Sequence, residues 1–313
     1  MKMKQVLATG AALSMALSMA PVTASAADKV DINVIAAQYG QQTADWWANF
    51  VTEFNEANPD INLNVEVVSW NDIYTVVNTR IANGEAPDVL NIDVFADYQA
   101  DDLLLPIQDV VSEETYSKMY DAFLAQSEVD GTVWAIPDLA SARAMYYNKD
   151  ILDAAGVEVP TTWDEFEEVL QKLSDAGIQP LTTGGSDKWG ATRLINAYAV
   201  RTAGNDIMTK AADGEVPYTD EKLVAAADKI AEWAEKGYFG EGITTVDMNT
   251  AGSMLMSGKA AIFYNGSWFT QNLTDDSQNP AGEDGIGFFN IPVADESISS
   301  ATSYSMNCGN ILA

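Results

Sequence analysis

Between Val30 and Ile92 the chain switches back and forth between two apolar periodicities, and that alternation restricts the fold more than any other feature. Val30 to Ala37 is an apolar strand pattern broken at Tyr39-Gly40. Gln41 to Asn58 carries Trp46, Trp47, Phe50, Val51 and Phe54 at helical spacing and stops at Asn58-Pro59. Ile61 to Val68 alternates as a second strand. Ser69 to Asn83 reads as a helix with Ile73, Val76, Val77 and Ile81 on one face, and Pro87 to Ile92 as a third, apolar strand. Strand, helix, strand, helix, strand predicts a parallel sheet joined by crossover helices. Ligands of such sheets sit beyond the carboxyl ends of the strands. That directs attention to Tyr39 to Gln42, and to Asp93 with Phe95.

The next informative stretch is Val129 to Asp150, VDGTVWAIPDLASARAMYYNKD. Asp130-Gly131 is a hairpin-type turn pair, since both residues tolerate a left-handed backbone. Alternation in Thr132 to Ile136, and again in Ala142 to Tyr147, predicts two strands. The link between them holds Pro137, Asp138 and Ser141, as expected where a chain passes between lobes. Helical patterns dominate afterwards. Thr162 caps Trp163 to Ala176, whose apolar stripe is Trp163, Phe166, Val169, Leu170 and Leu173. A polar loop, Gly184 to Trp189, precedes a helix from Thr192 to Ala203. Further helices are expected over Glu221 to Glu235 and Asp247 to Ser257, and strands over Ala260 to Tyr264 and Gly285 to Ile291. At Asn310 to Ala313 a strand begins as the chain stops, which reads as the end of a fragment.

The N-terminus specifies the compartment. Two lysines in Met1 to Lys4, an apolar run from Val6 to Met19, Pro21 and then Ala24-Ser25-Ala26 make a secretory leader over residues 1–26. A soluble mature protein in the periplasm, extracellular space or cell envelope is expected. A mature length of roughly 290 residues suits about two domains. With 46 acidic against 16 basic residues the net charge is −30, which argues against nucleic acid and anionic membranes. There is no histidine, so Ser-His-Asp and Cys-His catalysis and histidine-ligated metal sites are excluded. The single cysteine, Cys308, cannot form an internal disulfide. Paired carboxylates of a glycosidase stay open, although 46 acids make chance pairs common.

Six segments, taken in order, carry a resemblance. They are Gly84-Glu85-Ala86-Pro87-Asp88-Val89, Asp102 to Ile107 (DLLLPI), Gly131 to Pro137 (GTVWAIP), Tyr146 to Asp150 (YYNKD), Pro160 to Phe166 (PTTWDEF), and Gly258 to Ile262 with Gly266-Ser267-Trp268. Their order and spacing resemble the extracellular solute-binding proteins of ABC importers, in the group that includes maltose-binding and other carbohydrate-binding proteins. The resemblance implies an α/β fold of the periplasmic-binding-protein type II, two α/β lobes with a hinge and an interlobe ligand cleft. It places residues 28–137 and 264–313 in the N-terminal lobe and 138–263 in the C-terminal lobe, with crossings near Ile136 to Ser141 and Phe263 to Gly266. A third crossing and C-terminal helices, about a hundred residues by ordinary domain anatomy, would follow. A non-catalytic, monomeric receptor is implied, with a carbohydrate ligand, the permease subunits as partners, no nucleic acid, no metal and no cofactor. A receptor for a cationic solute such as a polyamine is the alternative suggested by the acidity, and a secreted glycoside hydrolase the alternative from another class.

A sugar presents hydroxyls and C–H faces, so its site combines Asp, Asn, Gln and Arg with Trp or Tyr. The candidates are Gln41 and Gln42 after the first strand and Asp93 after the third, together with Ser141 and Arg143 past the first crossing. Trp189 in the glycine-rich loop and Trp268 after Gly266 are candidate stacking platforms, with Asp247 and Asn265 from neighbouring loops. Arg143 could equally serve a salt bridge. Trp163 and Trp233 are assigned to packing, while Trp46, Trp47 and Trp134 could pack or rim a cleft.

Overall fold

The computed structural model describes residues 29–38, 42–275, 277–300, 306–308 and 311–312. The leader expected over residues 1–26 and the candidate Gln41 lie outside the described residues. Strand β1 (Val30–Ala37) is followed by helix α1 (Ala44–Ala57), β2 (Ile61–Val68), α2 (Ile73–Ala82) and β3 (Val89–Ile92). β1 pairs in parallel with β2, from Val30 opposite Ile61 to Ala37 opposite Val68, and in parallel with β3 on its other side. The alternation of apolar periods therefore produced the sheet it predicts. Ile35, Ala37, Leu90 and Ile92 meet Ile73 and Val77 of α2 and Tyr98 in the core beneath this sheet. Helix α2 starts four residues later than its apolar spacing suggests, because Ser69 donates to Asp72 (2.6 Å) and leaves Ser69 to Asn71 as a loop.

A short hairpin, β4 (Glu128–Val129) with β5 (Thr132–Val133), turns at Asp130-Gly131, both at positive φ. Then β6 (Ile136–Pro137) joins the first sheet, and β7 (Ala140–Asn148) enters a second one. Only Asp138 and Leu139 separate them. The second sheet has the order β10-β7-β9-β8, from β8 (Leu181–Thr182), β9 (Ile262–Gly266) and β10 (Ile286–Phe289), with β11 (Met306–Cys308) also on β7. The first sheet has the order β2-β1-β3-β12-β6, its fourth strand being β12 (Ile311–Leu312). The chain thus passes between the sheets at 137–140 and again between β11 and β12.

The assignment of residues 264–313 to the N-terminal lobe, and of a crossing to Phe263 to Gly266, is corrected here. Pairing of β9 with β7 continues from Tyr147 opposite Ile262 to Arg143 opposite Gly266, so the strand never leaves the second sheet. All five residues of β9 are buried. β10 pairs with β7 as well, from Ile286 opposite Asn148 to Phe289 opposite Met145. Among the described residues beyond 263, only β12 lies on the first sheet.

Around the second sheet stand α3 (Lys149–Ala155), α4 (Trp163–Asp175), α5 (Trp189–Ala203), α6 (Glu221–Glu235) and α7 (Met248–Met256). The expected cap on α4 is a full capping box, with Thr162 Oγ1 accepting from Glu165 N (3.3 Å) and Glu165 accepting from Thr162 N (3.1 Å). Trp163, Phe166, Val169, Leu170 and Leu173 of this helix pack on Trp233, Ile262 and Tyr264. Among the described residues no helix is long and apolar enough to cross a membrane.

Candidate functional site

A cavity of about 790 Å³ lies between the two sheets and takes its walls from both lobes. The first lobe contributes Gln38, Ser69, Trp70, Asn71, Tyr74 and Asp93. Gln38 follows β1, Ser69 to Asn71 follow β2 and Asp93 follows β3, so this wall is the set of carboxyl ends of three parallel strands. Asp93 is held by Tyr74, whose hydroxyl donates to Asp93 Oδ1 in a short hydrogen bond and accepts from Val94 N (3.1 Å). Burial, with Asp93 alongside, pushes the Tyr74 hydroxyl well above the usual tyrosine range, so it stays a donor at any physiological pH.

The second lobe contributes Arg143 from β7 and Asn265 from β9, with Trp268 and Phe269 just past β9. Asp187, Trp189 and Arg193 come from the start of α5 and the loop before it, and Asp247, Met248, Asn249, Gly252, Ser253 and Met256 from the cap of α7 and the side of that helix turned to the cavity. Arg143 is almost fully buried, and its guanidinium carbon lies 4.9 Å from the centre of the Trp268 ring. The Trp268 and Trp189 rings are 6.3 Å apart and tilted by 58°. Gly266 makes this possible, because a Cβ there would collide with the Trp268 ring. Asn265 Oδ1 accepts from Gly266 N at 2.8 Å, which fixes the turn out of β9.

The glycine-rich loop also has a packing cause. A side chain at Gly184 would sit on Met248, so the loop lies directly against the start of α7. Asp187 Oδ2 then accepts from Met248 N (2.7 Å), and Asp247 caps the same helix by accepting from Thr250 N (2.6 Å). That bond from the Thr250 backbone holds the Asp247 carboxyl below the usual carboxylate range. Trp189 N donates to Asp187 O across Lys188, which has φ 64° and ψ −42°. This is a γ-turn of the rarer, strained kind, at the point where the chain enters the cavity wall.

Of the sequence candidates, Asp93, Arg143, Trp189, Asp247, Asn265 and Trp268 meet around this cavity. Two do not. Gln42 faces the crossing: it hydrogen-bonds Asp138, while its own Oε1 is buried without a partner among the described residues. Burial raises the Asp138 carboxyl, against the hydrogen bonds from Asn91 and Gln42 that lower it. Ser141 shares the strand face of Arg143 by the two-residue period, but its short hydroxyl stays buried within the sheet where the longer guanidinium reaches the cavity. Trp46, Trp47 and Trp134 are not on the cavity wall either; Trp46 stacks on Phe50 at 5.5 Å on the outer surface of α1. Trp70, Asn71 and Tyr74 were missed because Ser69 to Asn83 reads as one continuous helix. The rule that selects Asp93 after β3 also selects Trp70 after β2. Among the described residues no group of three His, Cys, Asp or Glu could hold a metal ion.

Comparison with known proteins agrees with this architecture. The sequence profile of bacterial extracellular solute-binding proteins matches residues 39–309. A Brucella abortus protein is 27% identical over 259 residues, which are 82% of this chain and 62% of that protein. A Rhizobium meliloti protein bearing the name "probable sugar-binding periplasmic protein" is 28% identical over 81% of this chain and 61% of its own length. The chain therefore spans about three fifths of the length of these relatives. Among solved structures, a chitin oligosaccharide binding protein superposes with a TM-score of 0.80 at 22% identity, covering 91% of this chain and 72% of that one. That likeness shows the fold: two α/β lobes of the type II solute-binding class.

Proposed function

The chain belongs to the bacterial extracellular solute-binding protein family, and from that premise we propose that it is the carbohydrate receptor of an ABC importer, exported by the leader at residues 1–26. One observation carries the proposal. The cavity joins tryptophan faces and planar amides from one lobe to tryptophan, tyrosine and carboxylate groups from the other. Sugars need both kinds of surface at once: rings for their C–H faces, and paired donors and acceptors for their hydroxyls. The names of the relatives from Rhizobium meliloti and Streptococcus mutans, both called sugar-binding, point the same way.

Capture works by differential affinity. A sugar resting on Trp189 and Trp268 meets only half of its partners until the first lobe brings Trp70 and Asp93 against it. Contacts present only in the closed form shift the population toward that form. Movement about 137–140 and the strands that return between the lobes suffices, and the closed surface is what the permease subunits recognise. No residue performs chemistry, and the receptor acts as a monomer.

The test is a panel of mono- and oligosaccharides in a thermal-unfolding assay. A specific sugar raises the midpoint in proportion to the logarithm of its concentration over Kd. A panel in which no sugar shifts the midpoint, while a polyamine does, would overturn the proposal. So would the release of new reducing ends on incubation with an oligosaccharide.

A further inference from the structure

The charge of the ligand is written in the arginines. With 46 acids against 16 bases, carboxylates outnumber cations almost three to one in this chain. Arg80 takes two of them, Glu66 at 3.0 Å and Glu85 at 2.9 Å. Arg201 is buried and donates to the carbonyls of Ile291 (2.8 Å) and Ser300 (2.9 Å). The remaining two of the four arginines, Arg143 and Arg193, both line the interlobe cavity.

Arg193 makes no ion pair among the described residues, and it is half-buried. It lies four residues beyond Trp189 on α5, on the same helix face. Arg143 lies over Trp268, the other ring of the pair. Two guanidiniums therefore flank the two rings proposed to hold the sugar. The carboxylates of this wall are engaged elsewhere: Asp187 accepts from Met248 N and Asp247 from Thr250 N, where the positive end of α7 favours them. The half-buried Arg193 guanidinium, with no ion pair among the described residues, carries a desolvation cost that an anionic ligand offsets.

Granted a carbohydrate ligand, on which this inference rests, we propose that the sugar is acidic: a saccharide bearing a uronate, with its ring on Trp189 and Trp268 and its carboxylate against Arg193. The planar fork of arginine matches a carboxylate with two parallel hydrogen bonds. A single negative charge fits better than a phosphate dianion, because Asp93, Asp187 and Asp247 also face the cavity and set three negative charges against two positive ones.

The experiment is calorimetric titration of the protein with galacturonate, glucuronate and mannuronate oligosaccharides, each beside its neutral hexose counterpart. At low ionic strength one acidic member should bind about tenfold or more tightly than its neutral counterpart, as expected for a charge-assisted hydrogen bond. That advantage should shrink as salt is added. Arg193→Gln should abolish it, lowering the affinity for the acidic sugar about tenfold more than that for the neutral one. Tighter binding of the neutral members, or an equal loss of both classes in R193Q, would overturn the acidic sugar and leave the carbohydrate receptor standing. Binding of neither class would overturn both.

Discussion

The second lobe contains two tryptophan pairs, and they are put to opposite uses. Trp163 and Trp233 lie nearly parallel, 5.4 Å apart with 13° between planes, at 7% and 0% exposure. Both donate their Nε1 to the same oxygen of Glu167, at 3.2 and 3.3 Å, and Lys229 Nζ reaches that oxygen at 3.0 Å. Burial alone would lower the Lys229 ammonium, but its bonds to Glu167 and Glu232 win and push it up to about 12. Every polar edge of this pair is thus satisfied from within the lobe. Trp189 and Trp268, by contrast, are tilted, line a cavity and have a cation and amides around them. Aromatic rings whose polar edges are already satisfied hold a fold together. Rings that line a cavity among polar side chains are available to a ligand.

The sharpest way to separate the pairs is to delete one ring from each. Trp233→Ala removes a fully buried ring from a close-packed core and strands Glu167 beside the hole, so unfolding in urea should show a loss of about 3–5 kcal/mol. Trp268→Ala should give a clearly smaller loss in the same assay, since its ring borders a cavity that already admits water. Equal losses would mean that the cleft pair is core after all.

Ligand affinity should show the reverse order. Trp268→Ala is expected to lower sugar affinity by about 2 kcal/mol, the scale of a tryptophan hot spot, or roughly thirtyfold in Kd by titration calorimetry. An unchanged Kd would remove the cavity pair from the binding account.

How much of this was legible beforehand differs between the pairs. Helical spacing on Trp163 to Ala176 and on Glu221 to Glu235 exposed the core pair, because a period of 3.6 reports which face is buried. Trp189 stood out by the opposite sign, a large ring in a glycine-rich loop with no stripe to join. Trp70 was hidden, because the apolar spacing of Ile73, Val76, Val77 and Ile81 extends by eye back to Ser69. The passage at 137–140 showed as a Pro-containing break between two strand patterns. The sheet to which residues 264–300 belong did not show, since pairing of Gly266 with Arg143 links positions more than a hundred residues apart. Local pattern carries no record of such a register.

A smaller effect probes what holds the cleft wall in shape. Asp247→Ala should cost about 1 kcal/mol at neutral pH through loss of the α7 cap. The Asp247 carboxyl is held low in the folded chain, chiefly by Thr250 N–H. Its contribution is therefore complete above the unfolded carboxylate range and disappears as pH falls through the lower folded value. Stability curves of wild type and D247A should run parallel at pH 6–8, to order of magnitude, and converge below about pH 4. A constant gap across that range would show that the side chain acts by packing and not by its charge.

All of these differences descend from one claim, that the cavity between the two sheets is where the two lobes close on a sugar. Small-angle X-ray scattering of the protein, without sugar and with a saturating amount of one that raises its unfolding midpoint, measures that closure directly. The account predicts a smaller radius of gyration in the presence of sugar, and loss of the change in Trp268→Ala. A bound sugar that leaves the scattering curve of the wild-type protein unchanged would contradict it.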